Sequence, residues 1–162
     1  MVVKSSRVDF AGLDLGYLAL FTGMRVNELV VRRMKKGGKG QVRESHGYVI
    51  QHLIESERSI TELARRMEVT QQAASKSVAE LVRLGMLEAV VGSDKRSKVI
   101  RLSRRGWEGV KAARREREQI DSRLRKVLGK RDYGRVKEGL EVCLKELGGV
   151  ARVKSRRIRE PE

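Results

Sequence analysis

The chain has 162 residues, 40% of them hydrophobic, enough for one domain with a real core. Its 37 Lys and Arg against 21 Asp and Glu give a formal charge of +16, which points to a polyanionic partner: nucleic acid first, an anionic membrane surface second. One cysteine, no apolar run near the ~18 residues of a membrane span and no signal-peptide pattern at the start argue for a cytoplasmic protein without a disulfide framework.

From Phe10 to about Met34, apolar residues recur at helical spacing, with Leu13, Tyr17, Leu20 and Met24 along one line. Gly12, Gly16 and Gly23 weaken that helix, so packing against another chain is expected to hold it. Six basic residues and no acid lie from Arg32 to Arg43, with a Gly-Gly-Lys-Gly loop between them. A short helix is predicted over His46 to Glu55, with Val49, Ile50, Leu53 and Ile54 inward. Ser59 and Glu62 have the spacing of a capping box, opening a helix whose inner face is Ile60, Leu63, Ala64 and Met67.

After a break at Glu68-Val69-Thr70, a second helix runs from Gln71 towards a stop at Gly85. A hairpin follows from about Leu87 to Leu102. Ser103 is positioned to cap a long basic helix reaching about Leu128, and the pattern is interrupted at Gly129 and around Asp132-Tyr133-Gly134. The last amphipathic helix carries Val136, Leu140, Leu144 and Leu147, and the tail from 149 to 162 reads as loose and basic.

In the helix that starts at Gln71, the residues Ala74, Val78 and Leu81 face the core. Gln71, Gln72, Ser75 and Lys76 then lie on the polar side, together with the short Ala79. Gln can pair bidentately with adenine, and Lys can reach guanine or a phosphate, so this face suits a major groove. An ordinary solvated helix face is the plain alternative, and it loses ground because a short helix, a turn, this helix and a basic hairpin stand in series. At the hairpin tip, Arg96 is suited to the negative potential of a minor groove, while Lys95 and Lys98 are placed for phosphates. Asp94 is expected to orient an arginine; serving only as a turn residue is its other reading.

The pieces "ELARRMEVT", "LVRLGMLE", Asp94-Lys95-Arg96 and "IRLSRRG" together resemble the winged helix-turn-helix of the multiple-antibiotic-resistance-regulator (MarR) transcription factors. The likeness is clearest over residues 59 to 106. It implies a mostly α protein with a small β wing: a winged core over 45–103, flanked by dimerisation helices over 10–35 and 104–148. It also implies a homodimeric regulator on a pseudo-palindromic operator in double-stranded DNA, working at the nucleoid. Arg96 would be the minor-groove arginine and Gln71 to Lys76 the base-reading segment. The Gly-rich first helix, the dense basic helix after the wing and the Arg-rich tail depart from the family pattern.

Members of that family commonly bind small aromatic or anionic effectors in a crevice beside the dimer helices. By that resemblance Tyr17, Phe21, Arg25, Tyr48 and His52 are candidates to line one here, although the plainer expectation for the three aromatics is a place in the core. Cys143, between Leu140 and Leu144, reads as a small packed hydrophobe. His46 and His52 are six apart with no completing ligands, so no metal or other cofactor is expected. "GGKGQ" lacks a phosphate-loop ending, and no catalytic set stands out, so an enzyme is not expected.

Fifteen Lys and Arg but four acids fall between Lys95 and Arg131. That density keeps open an architectural DNA-binding protein of the same fold with little sequence preference. An RNA-associated protein is disfavoured by the scarcity of aromatics for stacking, and a membrane-surface binder by the lack of bulky apolar anchors on the basic helix.

Overall fold

The computed structural model describes residues 9–36, 43–92 and 98–155. A single helical turn at Phe10–Gly12, capped by the Asp9 carboxylate, precedes α1 (Leu15–Lys36). α1 therefore starts five residues later than the apolar spacing suggests. Then come α2 (Glu44–Leu53), α3 (Ile60–Met67), α4 (Gln71–Arg83), β1 (Leu87–Val91) and β2 (Lys98–Leu102). The chain continues with α5 (Arg104–Leu128), α6 (Lys130–Glu146) and α7 (Val150–Ser155). This is the expected mostly α fold with a small β wing. Part of the tail expected to be loose is helical in α7.

The core forms where the inner faces of α2, α3 and α4 meet the wing and the start of α5. Val49, Leu53, Leu63, Val78, Leu81, Met86, Ile100 and Val110 are all buried there. A second cluster joins Val30 and Met34 of α1 to Ile120 of α5. Only the second half of α1 takes part in it; the first half leaves Leu15, Tyr17, Leu20, Phe21 and Met24 exposed. α6 has no buried residue.

Local chemistry sets the element ends. Ser59 accepts the Glu62 amide at 3.1 Å, as a capping box requires. The Glu62 carboxylate does not complete the box, because Arg58 and Arg66 hold it at 2.6 and 3.4 Å. Glu68, with a left-handed backbone at φ 55°, closes α3, and Thr70 caps α4 by accepting the Ala73 amide at 3.1 Å. Gly85, at φ 69°, ends α4 with the Met86 amide on the Leu81 carbonyl and its own amide on Val82.

β1 and β2 are antiparallel, Leu87 opposite Leu102 and Val91 opposite Lys98. Arg58 adds a third strand position by exchanging both backbone hydrogen bonds with Ile100. Its buried guanidinium also donates to the His52 carbonyl at 2.8 Å, so one residue ties α2, α3 and the wing together.

Ser103 caps α5 by accepting the Gly106 amide at 3.0 Å, and its hydroxyl donates to the Gly85 carbonyl at 2.6 Å. Gly106 is required here: a Cβ would stand 2.1 Å from the Met86 carbonyl oxygen. Gly129, at φ 79°, is the break between α5 and α6. Asp132, Tyr133 and Gly134 lie inside α6 and do not interrupt it. Tyr133 folds back to donate to Asp121, under the Arg125 guanidinium, and this contact carries the chain through the turn as helix.

Candidate nucleic-acid interface and adjoining cleft

Burial of Ala74, Val78 and Leu81 fixes the rotation of α4 and turns its polar side to solvent. Gln71, Gln72, Ser75, Lys76 and Ala79 are all exposed, and with Ile60 of α3 they line one shallow concavity. The four polar residues singled out from sequence are thus brought together. Gln71 differs from the others in that its side-chain amide donates to the Thr61 hydroxyl of α3 at 3.2 Å. Gln72, Ser75 and Lys76 offer donors and acceptors beyond the short Ala79, a surface able to meet the edges of bases or phosphates.

β1 packs against α4. Lys98 is exposed at the start of β2, and Arg101 pairs with Glu88 across the hairpin at 2.7 Å. Asp94, Lys95 and Arg96 lie outside the described residues.

α4 carries one acid, Glu80, one turn beyond Lys76 and clear of the polar start of the helix. The Arg43 guanidinium at the start of α2 pairs with one of its carboxylate oxygens. That hydrogen bond, opposed by desolvation and aided by His46, holds the Glu80 carboxyl below the usual carboxylate range. The other oxygen lies 3.4 Å from Nε2 of buried His46, whose Nδ1 accepts the Arg43 amide at 3.2 Å.

Behind the helix pair, α1, α2 and α5 enclose a cleft of about 400 Å³. Val30, Val31, Met34, Ile50, Ile54, Met86, Val110 and Ala113 supply its apolar walls, with Tyr48 among them. Asn27, Gln51, Arg43, Arg114 and Arg117 supply polar groups, so the cleft pairs an apolar interior with three guanidinium side chains. Gly109 lets the Met86 thioether pack against α5, since a Cβ there would stand 2.7 Å from its methyl.

Residues 42–97, from the start of α2 through β1 and ending just before β2, match the family model described as the MarR family. Over those residues the chain is similar to the MarR family. Solved structures extend the likeness in fold to the flanking helices. MepR of S. aureus, a transcription regulator of the multidrug efflux pump MepA, superposes with a TM-score of 0.68 at 17% identity. That match covers 83% of this chain and 99% of MepR. Wild-type MarR from E. coli, in its apo form, gives 0.64 at 18% identity over 82% and 97%. A MepR–DNA complex from S. aureus gives 0.58 at 16% identity over 83% and 96%. No curated protein matches the chain in sequence.

In this fold the five residues put forward for an effector crevice do not converge. Tyr48 alone among them lines the cleft. Tyr17 and Phe21 stack on each other, ring centroids 6.0 Å apart, and are 54% and 53% exposed on the first half of α1. Arg25 pairs with Glu28 at 2.7 Å in solvent. His52 is buried, its carbonyl held by Arg58. The cleft opens on the second half of α1 instead, at Asn27, Val30, Val31 and Met34.

Sequence reasoning missed Arg43, Arg114 and Arg117. They come from two helices far apart in the chain, and local spacing holds no trace of their meeting. The one available signal was the acid-free basic segment ending at Arg43. Among the described residues no group of His, Cys, Asp or Glu could hold a metal ion, and no helix is long and apolar enough to cross a membrane. Cys143 is a half-buried free thiol on α6.

Proposed function

We propose that the chain is a homodimeric transcription regulator that reads a pseudo-palindromic operator in double-stranded DNA. It works in the cytoplasm at the nucleoid and acts by binding rather than by catalysis. The start of α4 enters the major groove with Gln72, Ser75 and Lys76 towards the bases, and Gln71, braced by Thr61, sets their angle. The hairpin tip enters the flanking minor groove with Arg96, oriented by Asp94, while Lys95 and Lys98 meet phosphates.

The observation that carries this reading is the exposed, acid-free polar start of α4, held off α3 by a three-residue turn and flanked by the wing, in a chain of charge +16. The likeness to MepR, solved in complex with DNA, supports it. Exposed apolar residues on the first half of α1 and along α6 and α7 support the two-chain assembly, because a second copy would bury both faces. The cleft is the effector site in this reading. Its apolar walls and guanidiniums suit a small aromatic anion.

One observation favours a second reading. Lys111, Arg114, Arg115 and Arg123 are all exposed along α5, more basic surface than a compact operator complex needs. That excess suits an architectural protein that tracks phosphates with little sequence preference.

Selection of bound sequences from a random duplex pool, near physiological salt, separates the two. An inverted repeat with half-sites about 34–36 Å apart, one helical turn, is the expected result. Tight binding with no recovered motif would replace it with the architectural reading.

A further inference from the structure

We propose that Arg43 is shared between two anions: the Glu80 carboxylate of α4, which it holds in this structure, and the anionic group of a small ligand in the cleft. The proposal rests on the reading of the cleft as an effector site and adds the route by which occupancy reaches α4.

Arg43 is the residue common to both places. It lines the cleft, and its guanidinium pairs with Glu80. Its side chain is 62% exposed, so packing does not lock it onto that partner. Across the cleft, Arg114 has no anionic partner among the described residues, while Arg117 donates to Asn27 at 2.5 Å. An anion seated between Arg43 and Arg114, with its apolar body against Val30, Met34 and Val110, would draw Arg43 off Glu80.

Glu80 has a second partner waiting. His46 Nδ1 accepts the Arg43 amide, which puts the ring's N–H on Nε2. That nitrogen is the one buried side-chain polar atom without a hydrogen bond among the described residues. It faces the second oxygen of Glu80 at 3.4 Å without forming a hydrogen bond to it in this structure. Once Arg43 leaves, Glu80 gains by closing on His46, which pulls α4 towards α2. Glu80 lies one turn beyond Lys76 and two beyond Gln72, so this movement re-aims the polar start of the helix. Filling the cleft and holding DNA thereby compete for one salt bridge.

Linkage makes the test reciprocal: what frees Arg43 from Glu80 must also strengthen ligand binding. The probe is 2-naphthoate, with uncharged 2-naphthamide as control, titrated calorimetrically into the full-length protein. Wild type is expected to bind naphthoate and to prefer it to naphthamide. Glu80→Gln is expected to bind naphthoate about fivefold or more tightly with naphthamide unchanged. Arg43→Gln is expected to lose the preference for the anion. In the presence of naphthoate, DNA affinity should fall for wild type and barely change for Glu80→Gln.

If naphthoate binds, Arg114→Gln weakens it, and Glu80→Gln changes neither probe nor DNA behaviour, the cleft reading survives and the exchange at Arg43 is wrong. If naphthoate binds no better than naphthamide, or does not bind wild type at millimolar concentration, the anion site and the exchange fall together.

Discussion

Glu62 shows how much one side chain can depend on its neighbours. Burial alone would raise its carboxyl, but hydrogen bonding and charge from Arg58, and then Arg66, outweigh that and hold it below the ordinary 4.5. A carboxyl depressed in the folded state stabilises the fold above its unfolded value, and that contribution is lost as pH falls through the folded value. Glu62→Gln is therefore expected to cost on the order of 1 kcal/mol or less near neutral pH, given the partly solvated pair. In urea melts from pH 7 downward, the gap to wild type should narrow below 4.5. A gap independent of pH would mean the ion pairs contribute nothing. On the candidate interface, Arg96→Ala is expected to weaken operator binding by about 1–3 kcal/mol without loss of fold. Gln72→Ala should instead change which sequences are recovered from a random pool. Uniform weakening on all sequences would remove Gln72 from base reading.

Elements divide sharply in how far sequence alone foretells them. α3, α4, the hairpin and the start of α5 follow the expected spans closely, because the apolar period agrees with the capping hydroxyls of Ser59, Thr70 and Ser103 and with Gly85 at the end of α4. The reading fails where a tertiary contact overrides local chemistry. Asp132 to Gly134 looked like a break, yet the bond from Tyr133 to Asp121 and the ring under Arg125 carry that segment as helix. Glu62 has capping-box spacing, yet two guanidiniums claim it. The junction of α4, β1 and α5 depends on Gly106, whose Cα sits against the Met86 carbonyl. Gly106→Ala cannot be absorbed by a flexible side chain, since the clash is with backbone. It is expected to cost about 1–3 kcal/mol in thermal unfolding and to shift Met86 at the cleft wall. An unchanged melting temperature would show that the junction has slack the geometry does not suggest.

The whole molecule leaves an apolar account unfinished. Phe21 and Met24 on α1, and Leu140, Leu144 and Leu147 on α6 and just beyond it, stay in solvent although their spacing is that of a packed face. A second copy is the partner we propose for them. Replacing Leu140 and Leu144 by Asp should convert a dimer into a monomer by sedimentation and sharply weaken operator binding. A variant that remains dimeric would place the interface elsewhere. Charge is the other global property. Some of the α5 region's surplus is answered within the chain: Glu116 pairs with Arg33 of α1 and Asp121 with Arg125. The exposed remainder should make DNA affinity fall by about 10³ to 10⁵ between 50 and 200 mM salt if six to ten phosphates are neutralised.

Sequence by itself determined the class of fold, the polar face of α4 and the basic hairpin. Those features are written in local periodicity, end chemistry and net charge, which each segment carries wherever it is placed. Tertiary structure alone decided the cleft, the binding of Arg58 across α2, α3 and the wing, and the pairing of Arg43 with Glu80. The last two residues stand 37 positions apart, and Arg33 and Glu116 stand 83 apart. No spacing rule reaches so far: such partners are chosen by how the helices pack, and packing is a property of the core as a whole.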